Sequence, residues 1–348
     1  MLRLSPHPPR TSHPAAGGGN VGVMPARPRP LPVSLDRVFT SQQAYAAGVT
    51  QGRLRARDLE APFRGVRVIP EPAQTHTDTS PGARDRADRA RVLERVAAYS
   101  PVMAPGAFLA GRTALVWHGV ALHHGAELEI GVLEPDRAPR ALGVRGRKIA
   151  PHLVQVRVGF GVRVASPASA WAMLAADLDV RELVRIGDHI VRVPRDERGR
   201  PHPELQLASP DQLGGAIDAG RRPGIGRLRE ALTLIRVGSM SPLETDARLE
   251  LVRAGIPEPE LDAEIRDAEG RLLGIADGAY RAHRVLLEIE GDHHRTDAAQ
   301  WARDLTKHAA YAAAGWSVVR LARPHIRGPR PDAAAMVRAA LRRAGAEV

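Results

Sequence analysis

The chain has 348 residues, enough for two or three domains with buried cores. It contains no cysteine, which excludes disulfides, thiolate zinc sites and a cysteine nucleophile. No apolar run approaches the roughly 18 residues of a membrane helix, and residues 1–32 lack the apolar core of a secretory signal. A cytoplasmic protein without membrane contact is therefore expected.

The net charge of +11 is distributed unevenly along the chain. Residues 239–330 carry 15 acidic and 13 basic side chains, a net of −2, and residues 331–348 add +1. The remaining +12 belongs to residues 1–238. Because basic regions attract the phosphates of nucleic acids, any electrostatic attraction to DNA comes mainly from the first two thirds of the chain.

Composition and hydrophobic pattern divide the chain into five segments. Residues 1–32 are aperiodic and rich in proline and glycine, which predicts a disordered tail. A small segment at residues 33–75 precedes a middle domain at residues 76–235. A second unit of helices and strands occupies residues 239–330, before a C-terminal helix at residues 331–348. This mixture predicts the α/β fold class, α+β over the whole chain.

The segment at residues 33–75 has the element order of a winged helix-turn-helix. The sequence predicts a helix at residues 41–47, a turn at Gly48, a second helix capped by Thr50, and an extended stretch at residues 63–70. Helix, glycine turn, basic helix and β-ribbon follow one another in winged DNA-binding domains. A small helical subdomain with surface arginines is the alternative. The residues expected to contact DNA are Gln51, Arg53, Arg55 and Arg57.

The middle domain alternates helices with short strands. Its sequence has no constellation typical of a nucleophile, a phosphate-binding loop or a dinucleotide site. His118 lies within an apolar run, which favours a hydrogen-bonded core residue over a metal ligand. Helices are predicted at residues 85–99 and 169–177, and strands at residues 127–133, 152–158 and 162–164.

Residues 239–330 predict the element order α-β-β-β-α-β. Ser241 is a helix N-cap followed by proline, and Gly255 ends this first helix. Because Ser241-Pro-Leu-Glu244 is itself a capping box, the residues alone favour a cap over a metal ligand for Glu244. Three strands, a helix ending at Gly315 and a final strand follow.

Two carboxylates face each other in the predicted hairpin of the second and third strands. If its turn is centred on Ala282 and His283, Asp277 lies opposite Glu288, with Cβ atoms about 4.5–5.5 Å apart. Glu290 follows on the same face. Opposed like charges destabilise a sheet unless a cation neutralises them. Oxygen ligands at this spacing suit Mg²⁺ or Mn²⁺, which can activate water for attack on phosphorus.

Two other interpretations of this hairpin remain open. The acids could line a solvated sheet face, but Leu287 and Ile289 form the natural core face and flanking helices should cover the other side. Zinc could instead be bound with the help of Asp292, His293 and His294. Without cysteines, and with three acids already converging, magnesium is favoured.

The motifs SPLE, AD before a strand, EIEGDHH, RDLTK and GWSVVRL resemble those of a domain-of-unknown-function group related to very-short-patch-repair endonucleases. That group belongs to the PD-(D/E)XK nuclease superfamily. The resemblance covers about residues 239–326 and implies the αβββαβ core of that superfamily. It also implies that Asp277 and Glu288 bind the metal, and that Glu244 is a further acidic member of the site.

One departure from the superfamily pattern concerns its lysine, which is expected where this chain has Glu290. In the resembling subgroup an acidic residue often stands there, and a histidine follows the glycine, as His294 follows Gly291 here. His294 is then a candidate general acid/base or phosphate contact. Lys307, in the following helix, is a candidate for the missing cation, with a solvated helix position as the alternative.

The front half has a looser resemblance. VFTSQQAYAAGVTQGRLRARDL, FRGVRVIP and RTALVWHG resemble AbiEi-type antitoxins of type IV toxin–antitoxin systems, whose N-terminal domain is a winged helix. This implies DNA binding near residues 51–57 and leaves a cognate toxin or self-association open. The leading expectation is a bacterial DNA-binding protein with a Mg²⁺-dependent endonuclease domain. The alternatives are a non-catalytic antitoxin-like regulator with a degenerate nuclease fold, and a structural protein with fortuitous acids.

Overall fold

The computed structural model mixes helices and strands throughout, so the predicted α/β fold class is confirmed. The strands of the described residues form three sheets, of two, five and four strands, in the order of the chain. Within the described part of the chain, no helix is both long and apolar enough to cross a membrane. The predicted tail lies outside the described residues as far as residue 27. The structure describes residues 28–71, 81–159, 161–196, 198–290 and 298–348, with the backbone alone for Pro81 and residues 298–305.

The N-terminal unit is a short helix packed beside a two-stranded antiparallel sheet. Thr40 caps the helix and exchanges hydrogen bonds with Gln43, because the two form a capping box. Buried Phe39, Ala44, Val49 and Leu54 form its core. The elements are β1 (Val38–Thr40), α1 (Ser41–Ala46) and β2 (Val66–Val68).

The prediction of a second helix beginning at Thr50 is wrong. Only a single 3-10 turn forms there, at Arg53–Arg55, although Thr50 does accept a hydrogen bond from the Arg53 amide at 3.3 Å. Gly52 disfavours a helix, and the chain becomes extended at Ala56. The unit therefore has the predicted order of a helix, a turn and a ribbon, but lacks a full second helix.

The middle domain is built on a five-stranded mixed sheet with strand order β5-β4-β3-β7-β6. Its strands are β3 (Phe108–Leu109), β4 (Leu128–Leu133), β5 (Val144–Ile149), β6 (Val156–Gly159) and β7 (Val162–Ala165). Its helices are α2 (Pro81–Tyr99), α3 (Gly111–Trp117), α4 (Pro167–Ala172), α5 (Val180–Val191), α6 (Pro210–Asp218) and α7 (Ile225–Leu234).

Several element boundaries of the middle domain differ from prediction by a few residues, and one core residue agrees. The strand predicted at residues 152–158 begins only at Val156, because a 3-10 turn occupies Pro151–Leu153. The helix predicted at residues 169–177 is α4, which starts earlier because Ser166 caps it and a proline follows. His118 is a hydrogen-bonded core residue, as expected, with Nε2 2.9 Å from the Ala165 carbonyl oxygen.

The C-terminal part has the predicted order α-β-β-β-α-β. Its four-stranded sheet runs β8-β9-β10-β11, with β10 and β11 parallel and the other neighbours antiparallel. Helices α8, α10 and α11 pack on one face around Leu287, and α9 packs on the other around Leu286 and Tyr311. The elements are α8 (Pro242–Arg253), β8 (Glu260–Arg266), β9 (Leu272–Tyr280), β10 (Val285–Glu290), α9 (Ala298–Ala313), β11 (Ser317–Ala322), α10 (Arg323–Arg327) and α11 (Ala333–Arg343).

A buried ionic network joins the middle domain to this C-terminal part. Arg248 of α8 donates to Asp188 of α5 at 2.8 Å, and both side chains are almost completely buried. The Thr245 hydroxyl also donates to Asp188, at 2.8 Å. Arg185 of α5 pairs with Asp246 of α8 at 2.7 Å. The two helices are therefore held in one orientation by a fully buried ion pair, Arg248 with Asp188, and by a second pair that is buried at Asp246.

Candidate active site

The hairpin of β9 and β10 has the register that the sequence predicts. Val285 pairs with Tyr280, and Leu287 pairs with Gly278. The next position in this register opposes Asp277 and Glu288, at the point where the regular pairing of the two strands ends. Carboxylates from neighbouring strands therefore meet at the end of the ladder.

The Asp277 carboxylate is enclosed in protein. Its Oδ2 accepts a hydrogen bond from the Ile289 amide at 2.5 Å, which directs the side chain toward β10. Burial raises the pKa of Asp277 well above its ordinary value, and the charges of Glu244 and Glu288 raise it further. The nearby Lys307 ammonium opposes this shift only in part. The position therefore favours a compensating cation.

Lys307 of α9 reaches across to the end of β10. Its Nζ lies 2.9 Å from Glu288 Oε2 and 3.4 Å from the Ile275 carbonyl oxygen. Glu288 and Lys307 are both largely shielded from solvent. The structure thus brings the predicted lysine from the helix to one of the predicted carboxylates, where it supplies the only ammonium group among the described residues of this C-terminal part.

Glu244 joins the same cluster from the N-terminus of α8. Ser241 caps that helix by accepting from the Glu244 amide at 3.2 Å, while Glu244 Oε2 accepts from the Met240 amide at 2.7 Å. The predicted cap is therefore present, but its return bond reaches Met240 and not Ser241. Burial raises the pKa of Glu244 to about 7, with Asp262 adding to the shift and Arg192 opposing it.

Sequence reasoning did not single out Asp262, yet it stands next to this cluster. The pairing of β8 with β9 places Leu261 opposite Gly278 and Ala263 opposite Ala276, so Asp262 occupies the position across from Asp277. Its φ of 50° is left-handed. Arg195 Nε, from the loop after α5, holds the Asp262 carboxylate at 2.8 Å.

One sequence signal could have pointed to Asp262. It belongs to the alternating stretch ELDAEIR, in which every second side chain is acidic. Nothing in that local pattern indicates which acid approaches another strand, because the register between strands depends on pairing across the sheet.

One predicted site residue, Glu290, makes its described contact outside the cluster. The carboxylate of Glu290 pairs with the guanidinium of Arg320 on β11. His294 lies outside the described residues, as do Asp292 and His293.

The described carboxylates fit a magnesium-type ion only if the protein supplies two ligands and water or substrate supplies the rest. Among the described residues, no group of three or more His, Asp or Glu side chains is placed to hold a metal ion. Mg²⁺ is commonly held by one or two carboxylates, with water and substrate phosphate completing its shell. Asp277 and Glu288 meet that requirement, because they are two carboxylates on neighbouring strands, and burial followed by the charges of Glu244 and Glu288 raises the pKa of Asp277.

The residues predicted to contact DNA fall into two groups. Gln51, Arg55 and Arg57 are exposed around the 3-10 turn. Arg53 instead makes a bidentate ion pair with Asp58, at 2.9 and 2.7 Å, and is largely shielded from solvent. Three of the four predicted contacts are therefore available to a ligand, while Arg53 has a structural partner.

Comparison with known proteins gives sequence relatives without an assigned activity. The chain is 27% identical over 234 residues to an uncharacterized protein of Mycobacterium tuberculosis, found in two strains. The alignment covers 66% of this chain and 79% of the relative. No family model matches the chain. A search of the solved structures gave no significant match.

Proposed function

We propose that this protein binds DNA in the cytoplasm and hydrolyses its phosphodiester bonds with Mg²⁺ or Mn²⁺. The observation that carries the proposal is the meeting of Asp277 and Glu288 at the end of two paired strands, with the Lys307 ammonium 2.9 Å from Glu288. Two opposed carboxylates with one neighbouring cation are typical of phosphoryl-transfer sites that use a divalent ion.

Each residue of the cluster has a distinct proposed role. Asp277 and Glu288 would hold the divalent ion, which when bound supplies an activated water and charge stabilisation at phosphorus. Lys307 orients Glu288 and offsets negative charge that develops on the phosphate oxygens. Glu244, with a pKa of about 7, can accept or donate a proton near neutral pH.

A cleavage assay tests this proposal. Supercoiled plasmid and single-stranded DNA are incubated with wild type, Asp277→Ala and Glu269→Gln, with Mg²⁺ or Mn²⁺. Glu269 is an exposed carboxylate in the adjoining turn and serves as the matched control. We expect cleavage by wild type and by the control, and a loss of at least about 100-fold in Asp277→Ala. Cleavage that survives in Asp277→Ala would show that the site is elsewhere.

A non-catalytic DNA-binding regulator is the second candidate, favoured by one specific observation. Glu290 stands where the pattern of the wider PD-(D/E)XK superfamily has lysine, and Arg320 engages it in an ion pair. In that case the protein would bind DNA without metal-dependent cleavage. The absence of all cleavage, with specific binding to the DNA upstream of its own gene, would favour the regulator. A cognate toxin belongs to this second candidate only.

A further inference from the structure

Tyr311 carries a polar group that the described contacts leave unused. The residue lies on α9 and is fully buried against the sheet. Its hydroxyl has no hydrogen-bond partner among the described residues. Buried hydroxyl groups in proteins are almost always hydrogen-bonded, because an unsatisfied one loses its bonds to water without replacement.

The hydroxyl lies beside the carboxylate cluster. Lys307 is one helical turn before Tyr311, and its Nζ lies 5.7 Å from the centre of the Tyr311 ring and 2.9 Å from Glu288 Oε2. Burial raises the pKa of Tyr311, and the charges of Glu288 and Asp277 raise it further. The hydroxyl is therefore protonated at neutral pH and can donate a hydrogen bond.

Gly274 of β9 makes room for this arrangement. A Cβ atom on Gly274 would come 2.5 Å from Tyr311 Oη and 2.8 Å from Lys307 Cδ. Any side chain there would displace both groups, so the close approach of α9 to β9 requires glycine. The strand thus lets the Tyr311 hydroxyl and the aliphatic part of the Lys307 side chain pack against the same glycine, while the Lys307 ammonium group reaches Glu288.

We propose that Tyr311 is a positioning residue of the cluster, and that its hydroxyl donates to a water molecule that enters beside Glu288 with the divalent ion. This inference rests on the proposed function. The ligand is a water molecule because the hydroxyl is fully buried, which excludes a group as large as phosphate. Tyr311 acts through that water and through Glu288.

The test compares two Tyr→Phe variants of the full chain. Tyr311→Phe removes the unused hydroxyl, whereas Tyr280→Phe removes a buried hydroxyl that donates to the Pro257 carbonyl at 2.9 Å. Melting temperatures are measured in EDTA and in Mn²⁺, and kcat and KM are measured on plasmid DNA.

Opposite changes are expected for the two variants. In EDTA, Tyr311→Phe should have a melting temperature no lower than that of wild type, and Mn²⁺ should raise that temperature less than it does in wild type. Its kcat should fall about tenfold while KM stays unchanged. Tyr280→Phe should melt lower in EDTA and keep the full Mn²⁺ gain, because the bond that it loses is remote from the cluster.

Three outcomes overturn the inference. A lower melting temperature of Tyr311→Phe in EDTA means that the hydroxyl already has a partner in the resting protein. If Mn²⁺ raises the melting temperature of Tyr311→Phe as much as that of wild type, the incoming ligand does not bind the Tyr311 hydroxyl. If wild type itself gains nothing from Mn²⁺ and cleaves nothing, the proposed function fails and this inference with it. Failure of the inference alone leaves wild-type cleavage intact.

Discussion

At the scale of single residues, the carboxylate cluster lowers the stability of the metal-free protein. Burial of Asp277, together with the charges of Glu244 and Glu288, disfavours its ionised form. Such groups persist at functional sites because a ligand removes the conflict when it binds. The register of the hairpin places the two carboxylates opposite each other, and the ion pair of Lys307 with Glu288 offsets their charge only in part.

Replacing Asp277 with asparagine should therefore stabilise the metal-free protein. The amide oxygen can still accept from Ile289, while the repulsion disappears, so we expect a gain of about 1 kcal/mol or more in unfolding free energy. Urea unfolding in EDTA measures this gain. A variant less stable than wild type would mean that the Asp277 charge is already compensated.

The raised pKa of Glu244 predicts that its contribution to the stability of the folded protein decreases as the pH rises. Its pKa rises from 4.5 in the unfolded chain to about 7 in the folded protein. Its stabilising contribution is thus fully present below about pH 4.5 and is lost as the pH rises through 7.

The matched variant is Glu244→Gln, which keeps an acceptor for the Met240 amide. Without metal, wild type should lose about 1–3 kcal/mol relative to this variant between pH 4.5 and pH 8. Thermal unfolding across that range checks the difference. A difference that does not change with pH would show that Glu244 titrates normally.

At the scale of secondary-structure elements, α8 serves both the interface and the candidate site. Its N-terminus carries Glu244 into the cluster, while Thr245 and Arg248 bind Asp188 of α5. Disturbing the contact of α5 with α8 should therefore affect the stability of the candidate site as well.

Arg248→Met tests the buried pair at this interface. The substitution leaves the Asp188 charge buried and without its guanidinium, at a cost of about 3–5 kcal/mol. Arg253→Met, on the same helix, removes an exposed partner of Glu250 and should cost about 1 kcal/mol or less. Equal shifts of the urea midpoint in the two variants would contradict a structural role for the buried pair.

The 3-10 turn at Arg53–Arg55 carries the prediction for DNA binding. Arg55→Gln and Arg57→Gln should weaken binding to all sequences and reduce the slope of affinity against salt by about 0.9 per lost phosphate contact. Arg53→Gln should instead lower stability, because it breaks the pair with Asp58. Fluorescence anisotropy at several salt concentrations measures the slopes, and unchanged slopes in both exposed variants would place DNA on another surface.

At the scale of the whole molecule, the separate C-terminal helix expected at residues 331–348 is part of a larger core. Ala333, Val337 and Leu341 of α11 pack with Leu287 and Leu321 of the sheet. Similarly, Val66 and Val68 of β2 belong to the core of the middle domain. Segments that look independent in sequence therefore share hydrophobic cores, because burial depends on which faces meet in space.

The sequence by itself determined the features that depend on local pattern. The order α-β-β-β-α-β follows from caps, glycine stops and alternating apolar residues, and the short turn after Tyr280 sets the register that opposes Asp277 and Glu288. Such signals lie within a few residues of one another and do not need the rest of the chain.

Only the tertiary structure decided the contacts made over long separations. Strand β5 has a charged, glycine-containing sequence and forms by pairing with β4. The position of Asp262 across from Asp277 depends on strand register, and the approach of Lys307 and Tyr311 to Glu288 depends on helix packing. The physical reason is that charge and burial act through space, so a residue's environment is set by its neighbours in the fold.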